Sequence, residues 1–529
     1  MTGVAGIEGD LGSRFHWMGF YQYGRYQSDA TRTHNRITDR FNQAVDVIQG
    51  PNGPMCRDAA ARAAGCQPLS LFGPNAATPQ ALAYFDYTSH RKVVNTQQVA
   101  GLQFTSKPFD LPAGPLQLAG GVEYRRETTD VTPDPLQATG QLIYLTDAAL
   151  SARFSVKEVF GEVLVPILAD RPFAKELSLE GAVRYSDYSS IGGTTAWKVG
   201  GQWAPVRDVR FRVTRSRSVR APNLSELYNP GASSNAFILD PCDSTRVNLT
   251  TNRRANCAAL GVAANYTDPF AGVAKTVITG GNPGLSAETS NSWTAGTVFT
   301  PGFIPGLAVS VDWWKIDLKG AINTVPLQRA VDNCVDAATI SNPFCQLVRR
   351  RADGAITQVN VSPINVGSLN AEGIDFQANY RRAFGATEGR LALSGTYLIR
   401  NELQVVAGDP TTRDNNLGEV DNPRWRFNVA PGVTMGKFSL DWTVRFISAT
   451  KVDSQATAEG RSDNNVSSRL YNDLYASVAV NDRFRLYGGV NNLFDVDPPF
   501  SAVTFQGTGR GALFDNIGRY LFVGVNTTF

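Results

Sequence analysis

The strongest constraint on this chain is a strict alternation of apolar and polar residues, sustained over segments far longer than ordinary strands. Phe438, Leu440, Trp442, Val444 and Phe446 alternate with Ser439, Asp441, Thr443 and Arg445. Val209, Phe211 and Val213 alternate with Arg210, Arg212 and Thr214, and Leu116, Leu118, Val122 and Tyr124 with Gln117, Glu123 and Arg125. Residues two apart share a face in a strand, so each segment shows one apolar face and one wet face. These segments commonly run about 10 to 15 residues, whereas strands in soluble sheets run about 5 or 6. Aromatics recur near the segment ends, at Trp313, Trp314, Trp425 and Tyr520, as in the interfacial girdles of membrane barrels.

The connections alternate between short and long. Short links fall at Ser28–Ala30, Lys107–Ala113, Ala169–Pro172, Pro205–Asp208, Pro301–Pro305, Phe384–Glu388, Met435–Lys437 and Asn481–Arg483. Between them lie long polar loops at about 49–88, 131–151, 218–287, 321–366, 402–420, 451–468 and 497–516, plus one short link at Ser189–Gly193. Short turns on one side and long loops on the other predict an all-β, antiparallel transmembrane β-barrel with long extracellular loops. The count is about 17 strands, with a descending strand at about His16–Gln27 and a polar, glycine-rich loop over Met1 to Arg14.

Composition agrees. Hydrophobic residues make up 42% and charged residues 18%, with a net charge of +3 and a mean hydropathy of -0.19. No window holds the roughly 18 to 20 apolar residues of a membrane-spanning helix. The near-neutral balance implies no polyanionic partner such as nucleic acid. Six cysteines fall as three close pairs, Cys56 with Cys66, Cys242 with Cys257, and Cys334 with Cys345, each inside a long loop. Local pairs predict loop-closing disulfides in an oxidising compartment, ahead of free thiols; a metal centre would need clustered ligands, and no C-x-x-C occurs. The first residues show no export signal.

Three segments carry a family resemblance. Arg220, Pro222, Glu226 and Leu227 leave a strand into a long outer loop. Asn282, Pro283, Leu285 and Glu288 lead back into the wall, and Asn492, Leu493, Phe494 and Asp495 precede the last hairpin loop. The final strand ends on Phe529. In this order and spacing, the chain resembles a TonB-dependent outer-membrane receptor over about residues 15–529. The resemblance implies that 1–529 is a partial barrel domain, about 17 strands of a roughly 22-stranded barrel, with plug, first strands and signal peptide outside it. It implies import of a scarce ligand, such as a ferric siderophore or an oligosaccharide, with energy from TonB acting through the plug region. The implied partners are outer-membrane lipid and the barrel-assembly machinery. No cofactor is implied. A passive porin-like or degenerate barrel is the alternative.

Other chemistry finds little support. His16, His34 and His90 lie at no recognisable catalytic spacing, and there is no Gly-x-Ser-x-Gly or phosphate loop. The chain reads as no enzyme. Arg184, Arg210, Arg212, Arg400, Arg424, Arg426, Arg445 and Arg485 fall on polar faces, where Glu176, Glu180 and Asp441 are expected to pair with such arginines in a mixed-charge lumen. An anion-favouring lumen is the sharper reading. Glu226 and Glu288 are expected to accept bonds from nearby arginines or loop amides as framework. Tyr228, Phe237 and Tyr266 are candidate loop aromatics, and Leu327–Arg351 a small disulfide-pinned helical cap.

Overall fold

The computed structural model describes residues 1–529 apart from 74–76, 144–146, 326, 406–412, 455–463, 500–512 and 529. Its main sheet has 18 strands. One is the three-residue strand Arg413–Asn415, laid on the end of a longer one. The other seventeen form a wall in chain order: β1 (Thr2–Leu11), β2 (Phe15–Arg36), β3 (Asp86–Ser106), β4 (Gln117–Thr132), β5 (Leu150–Arg171), β6 (Ala174–Tyr188), β7 (Gly192–Val206), β8 (Val209–Arg220) and β9 (Glu288–Phe299). It continues as β10 (Leu307–Lys319), β11 (Ser368–Phe384), β12 (Thr387–Gln404), β13 (Trp425–Met435), β14 (Phe438–Ile447), β15 (Arg469–Ala479), β16 (Phe484–Asn491) and β17 (Tyr520–Thr527). Each strand pairs antiparallel with the next. Strands β1 and β17 are its edges; the sheet is not closed among the described residues.

The register explains the alternation. Leu102, Val122, Val159 and Tyr185 stand side by side on β3 to β6, and all four side chains are about half exposed. In a soluble protein such a row would collapse into a core. Here it lies on the outside of the wall, where hydrocarbon solvates it. Leu521, Val523 and Val525 give β17 the same outward face. Phe529 lies outside the described residues.

Five expectations are corrected. Ser28–Ala30 is no turn, and the strand over His16–Gln27 ascends rather than descends: β2 runs unbroken for 22 residues from the turn at 12–14 to the first outer loop, with its full partner β3 in register through Arg32. At about 3.3 Å per residue the strand is far longer than the 9 to 11 residues that cross a bilayer. Its polar run at Gln27 to Asp29 is therefore strand above the membrane, knit by Gln27 donating to Asp29 at 2.7 Å. Met1 to Arg14 is no loop but β1 and the tight turn after it. The first outer loop begins at Ile37 rather than about 49, with a helix at Thr38–Val45. Trp314 and Tyr520 lie on the inward face, since their neighbours Trp313 and Leu521 face outward in register with Ile374 and Val490. The strand count survives because the turn at 12–14 replaces the one expected at Ser28–Ala30.

The two faces should respond differently to charge. Val199, midway along β7 and 58% exposed outward, should lose about 2 to 4 kcal/mol as Val199→Arg. Gln377→Arg, on the inward face of β11, should stay within about 0.5 kcal/mol of the parent. Denaturant unfolding in lipid vesicles would read both, and equal losses would contradict the assignment of faces.

Candidate functional site

The inward face is charged and in part internally paired: of the arginines expected there, Arg184, Arg210, Arg212, Arg400 and Arg445 have carboxylate partners, while Arg424, Arg426 and Arg485 have no ion pair among the described residues. Arg212 on β8 donates to Asp312 on β10 through two hydrogen bonds of 2.8 and 2.7 Å. Between them on β9 lies Gly296, in register with both, and a Cβ there would collide with the Asp312 carboxylate. The same device recurs where Arg390 on β12 reaches Asp441 on β14, at 2.6 Å, over Gly432 on β13. A missing side chain thus lets an ion pair span two strand spacings. Arg210 binds Glu176 at 3.1 Å, Arg184 binds Glu158 at 3.3 Å and Arg445 binds Asp473 at 2.8 Å. Glu180 takes Lys198 rather than an arginine, and the partner of Asp441 is Arg390, which was not among the expected arginines.

At the mouth of this lumen the first two sequence motifs meet. Arg220, the last residue of β8, donates to Glu288, the first of β9, at 2.5 and 3.0 Å, and to Glu226 at 3.1 to 3.2 Å. Glu226 also accepts the backbone N–H of Asn223, whose side chain accepts that of Glu226, closing a reciprocal cap on the short helix Leu224–Tyr228. Glu288 accepts the N–H of Ile322 from the neighbouring loop. Pro222, Leu227 and Leu285 are buried beside them. The N–H of Asn282 reaches the carbonyl of Glu226, and its side chain donates to that of Pro363. Pro283 follows within the same turn. One guanidinium therefore holds both ends of the loop between β8 and β9.

The third motif has a different geometry. Asn492 is fully buried in the left-handed region at φ 51°. Its side chain closes a turn on Val496 through bonds of 2.8 and 3.0 Å, and the N–H of Leu493 donates to the carbonyl of Asn472. Asp495 accepts from the N–H of Arg519 just before β17, while Phe494 is 61% exposed.

Above the mouth, two loops fuse into one folded cap. Strands Ala232–Ala236 and Lys275–Thr279 come from the loop after β8, Val348–Arg350 and Ile356–Val361 from the loop after β10. Lys275–Thr279 pairs in parallel with Ile356–Val361, joining the loops in a four-stranded sheet. Ile238 and Val277 pack with Val331, Ile356 and Val359 across the junction. Buried Arg350 holds fully buried Asp240 at 2.7 and 2.8 Å, and Arg253 holds Asp336 at 2.7 and 2.6 Å. Cys242 and Cys257, and Cys334 and Cys345, form disulfides within the cap. Cys56 and Cys66 form the third, in the loop before β3. The expected helix is Leu327–Asp336. Of the candidate aromatics, Tyr266 is core, its hydroxyl pushed well above its ordinary range by burial. Phe237 and Tyr228 remain exposed. The three histidines stay apart, against Asp10, Asp86 and Thr31. Sequence reading missed the fusion, because no local period encodes pairing between distant loops.

Two tests address the cap. Arg350→Ala would strand Asp240 as a buried charge and cost the cap about 3 to 5 kcal/mol, so limited proteolysis should cut both loops faster while the wall stays intact. Asp243 is held below its ordinary 3.8 by the N–H of Asp268, then by the hydroxyl and N–H of Thr245. A depressed carboxylate stabilises above its unfolded pKa and loses that contribution as pH falls through its folded one. Cap protection should therefore fall below about pH 4, and Asp243→Asn should flatten this dependence in a pH series of hydrogen exchange.

Comparison with known proteins follows the geometry. Residues 2–493 match the family model described as TonB dependent receptor-like, beta-barrel. No curated protein matches. A variant of the ferric enterobactin receptor PfeA from Pseudomonas aeruginosa superposes at a TM-score of 0.59 with 16% identity, covering 100% of this chain and 61% of that one. The siderophore receptor PirA from Acinetobacter baumannii gives 0.57 at 13% identity, covering 100% and 62%. The copper transporter OprC gives 0.51 at 12%, covering 100% and 65%. The chain thus spans less than two thirds of the length of these solved proteins, and the likeness is one of fold.

Proposed function

Since the chain belongs to the TonB-dependent receptor β-barrel family, whose members are outer-membrane transport receptors rather than enzymes, we propose that it supplies the capture surface and channel wall of an importer energised by TonB. The observation that carries this reading is the fused cap. A passive pore gains nothing from joining two loops through a sheet, a shared core and buried ion pairs above its own mouth. A receptor does, because a preorganised surface loses less freedom on binding a dilute ligand. The ligand we assign is a ferric chelate, with an oligosaccharide as the second choice; the fold relatives include a ferric enterobactin receptor and a siderophore receptor.

In this reading the outer loops take the ligand and the paired lumen passes it inward without one dominant charge. TonB acts through the plug region of the family. Barrel-assembly machinery inserts the wall, with the terminal strand and Phe529 as its signal. The motif residues Arg220, Glu226 and Glu288 position the loop rather than touch the ligand.

Uptake by cells making the full gene product tests the proposal. Radiolabelled iron chelate should accumulate when the gene is present and stop when TonB is deleted. Uptake that persists without TonB would favour the passive barrel, and chelate-independent uptake of oligosaccharide would move the ligand class. Glu288→Gln should lower uptake by loosening the loop, with surface expression unchanged.

A further inference from the structure

Several inward arginines are answered by carboxylates, but a group of cations on the opposite face has no ion pair among the described residues. On β4, Tyr124 and Arg126 continue the outward row of Val122, and on β5, Arg153, Ser155 and Lys157 continue that of Val159. Arg126 stands directly opposite Ser155, with Arg153 and Lys157 as its two diagonal neighbours. Diagonal positions on paired strands lie about 7 to 8 Å apart, within reach of long side chains. Arg153 and Lys157 thus flank Arg126, and none of the three has an ion pair among the described residues. Arg126 and Arg153 border a recess of about 350 Å³, lined also by Tyr124, Phe154, Ser155 and Ser189, and Lys157 stands beside it on the same face of β5. The Ser189 hydroxyl accepts the N–H of Ser155 at 2.9 Å, which leaves its proton free to donate. Two carboxylates share this face. Asp130 is engaged by Ser151 at 2.7 Å, and Asp187 stands opposite Lys157 in register.

The position identifies the ligand. The recess lies just beyond the apolar belt, on the side of the disulfide-bearing loops, and faces out of the barrel toward lipid. Like charges gathered at a membrane boundary repel one another unless an anion joins them. We propose that Arg126, Arg153 and Lys157 bind the phosphate groups of a phosphorylated lipid in the outer leaflet, with Ser189 donating to the same oxygens and Tyr124 packing on the lipid beneath. The site rests on the outer-membrane placement and is independent of what the lumen transports.

The test uses the protein extracted from its outer membrane in mild detergent, stripped of lipid and titrated by native mass spectrometry. The probes are bisphosphorylated lipid A, the same lipid with its phosphates removed, and inorganic phosphate. Removing all three cations by alanine substitution should weaken the first bound bisphosphorylated lipid on the order of 100-fold, about 5-fold for each charge. Arg382→Ala, an outward cation at the opposite rim of β11, should leave binding unchanged. Heat-modifiable gel migration checks that each variant is folded, and Arg126→Lys with Arg153→Lys, which keeps the charge, should retain binding. If the triple variant does not fold, Arg126→Gln alone gives the reading. Equal affinity for the dephosphorylated lipid, or binding unaffected by loss of the cations, overturns the proposal. Displacement of the lipid by inorganic phosphate at equal affinity would overturn it in favour of a free-phosphate site. None of these outcomes bears on TonB-dependent uptake.

Discussion

Everything in this structure depends on the backbone ladder. Hydrocarbon offers no hydrogen bonds, so every N–H and C=O that enters it needs a partner within the protein. Sixteen successive antiparallel pairings answer that demand for the interior strands. Once the ladder is set, the two faces follow from the pleat alone. Side chains that would be a hydrophobic core elsewhere face outward, and the charged ones face a wet interior. The described residues form no single core. Its buried clusters lie instead in the outer loops, where water returns and ordinary packing resumes.

The inward charges illustrate how local sequence and sheet geometry cooperate. Groups two strands apart can meet directly only where the side chain on the strand between them leaves room. Glycine at 296 and 432 removes that obstacle. The acid and the arginine can then meet over bare backbone, and the lumen keeps a smooth, mixed-charge lining rather than a field of one sign. Exposed pairs of this kind add little stability one by one; their effect is on what the channel attracts.

Much of the wall was legible because membrane strands alternate strictly, and β14 shows this from Phe438 to Phe446. The errors have physical causes. Gln27 to Asp29 looks like a turn by composition, but strands here outrun the bilayer, and above it polarity no longer marks a turn. In β1, Gly3, Gly6 and Gly9 blank out the pattern that larger residues would have shown. Trp313 and Trp314 are adjacent, so only one can face lipid; composition counts both. At the site, the residues that bracket the loop after β8 could be named from motif order, and Arg220, Glu226 and Glu288 do converge. The cap could not, since the pairing of Val277 with Val359 joins segments far apart in the chain. Tyr266 resembled a binding aromatic because nothing local distinguishes a buried tyrosine from an exposed one.

The placement of the three disulfides has a consequence for assembly. Six cysteines allow 15 complete pairings, yet each bridge here closes a span of only 10, 15 or 11 residues within one loop. The contacts that join loop to loop are hydrogen bonds, ion pairs and packing, all of them reversible. Each loop can thus be oxidised on its own, in any order and before its neighbour has arrived, without trapping a wrong connection. The covalent cross-linking is confined to local spans. The long-range fit is left to interactions that can still be undone while the wall is being threaded into the membrane.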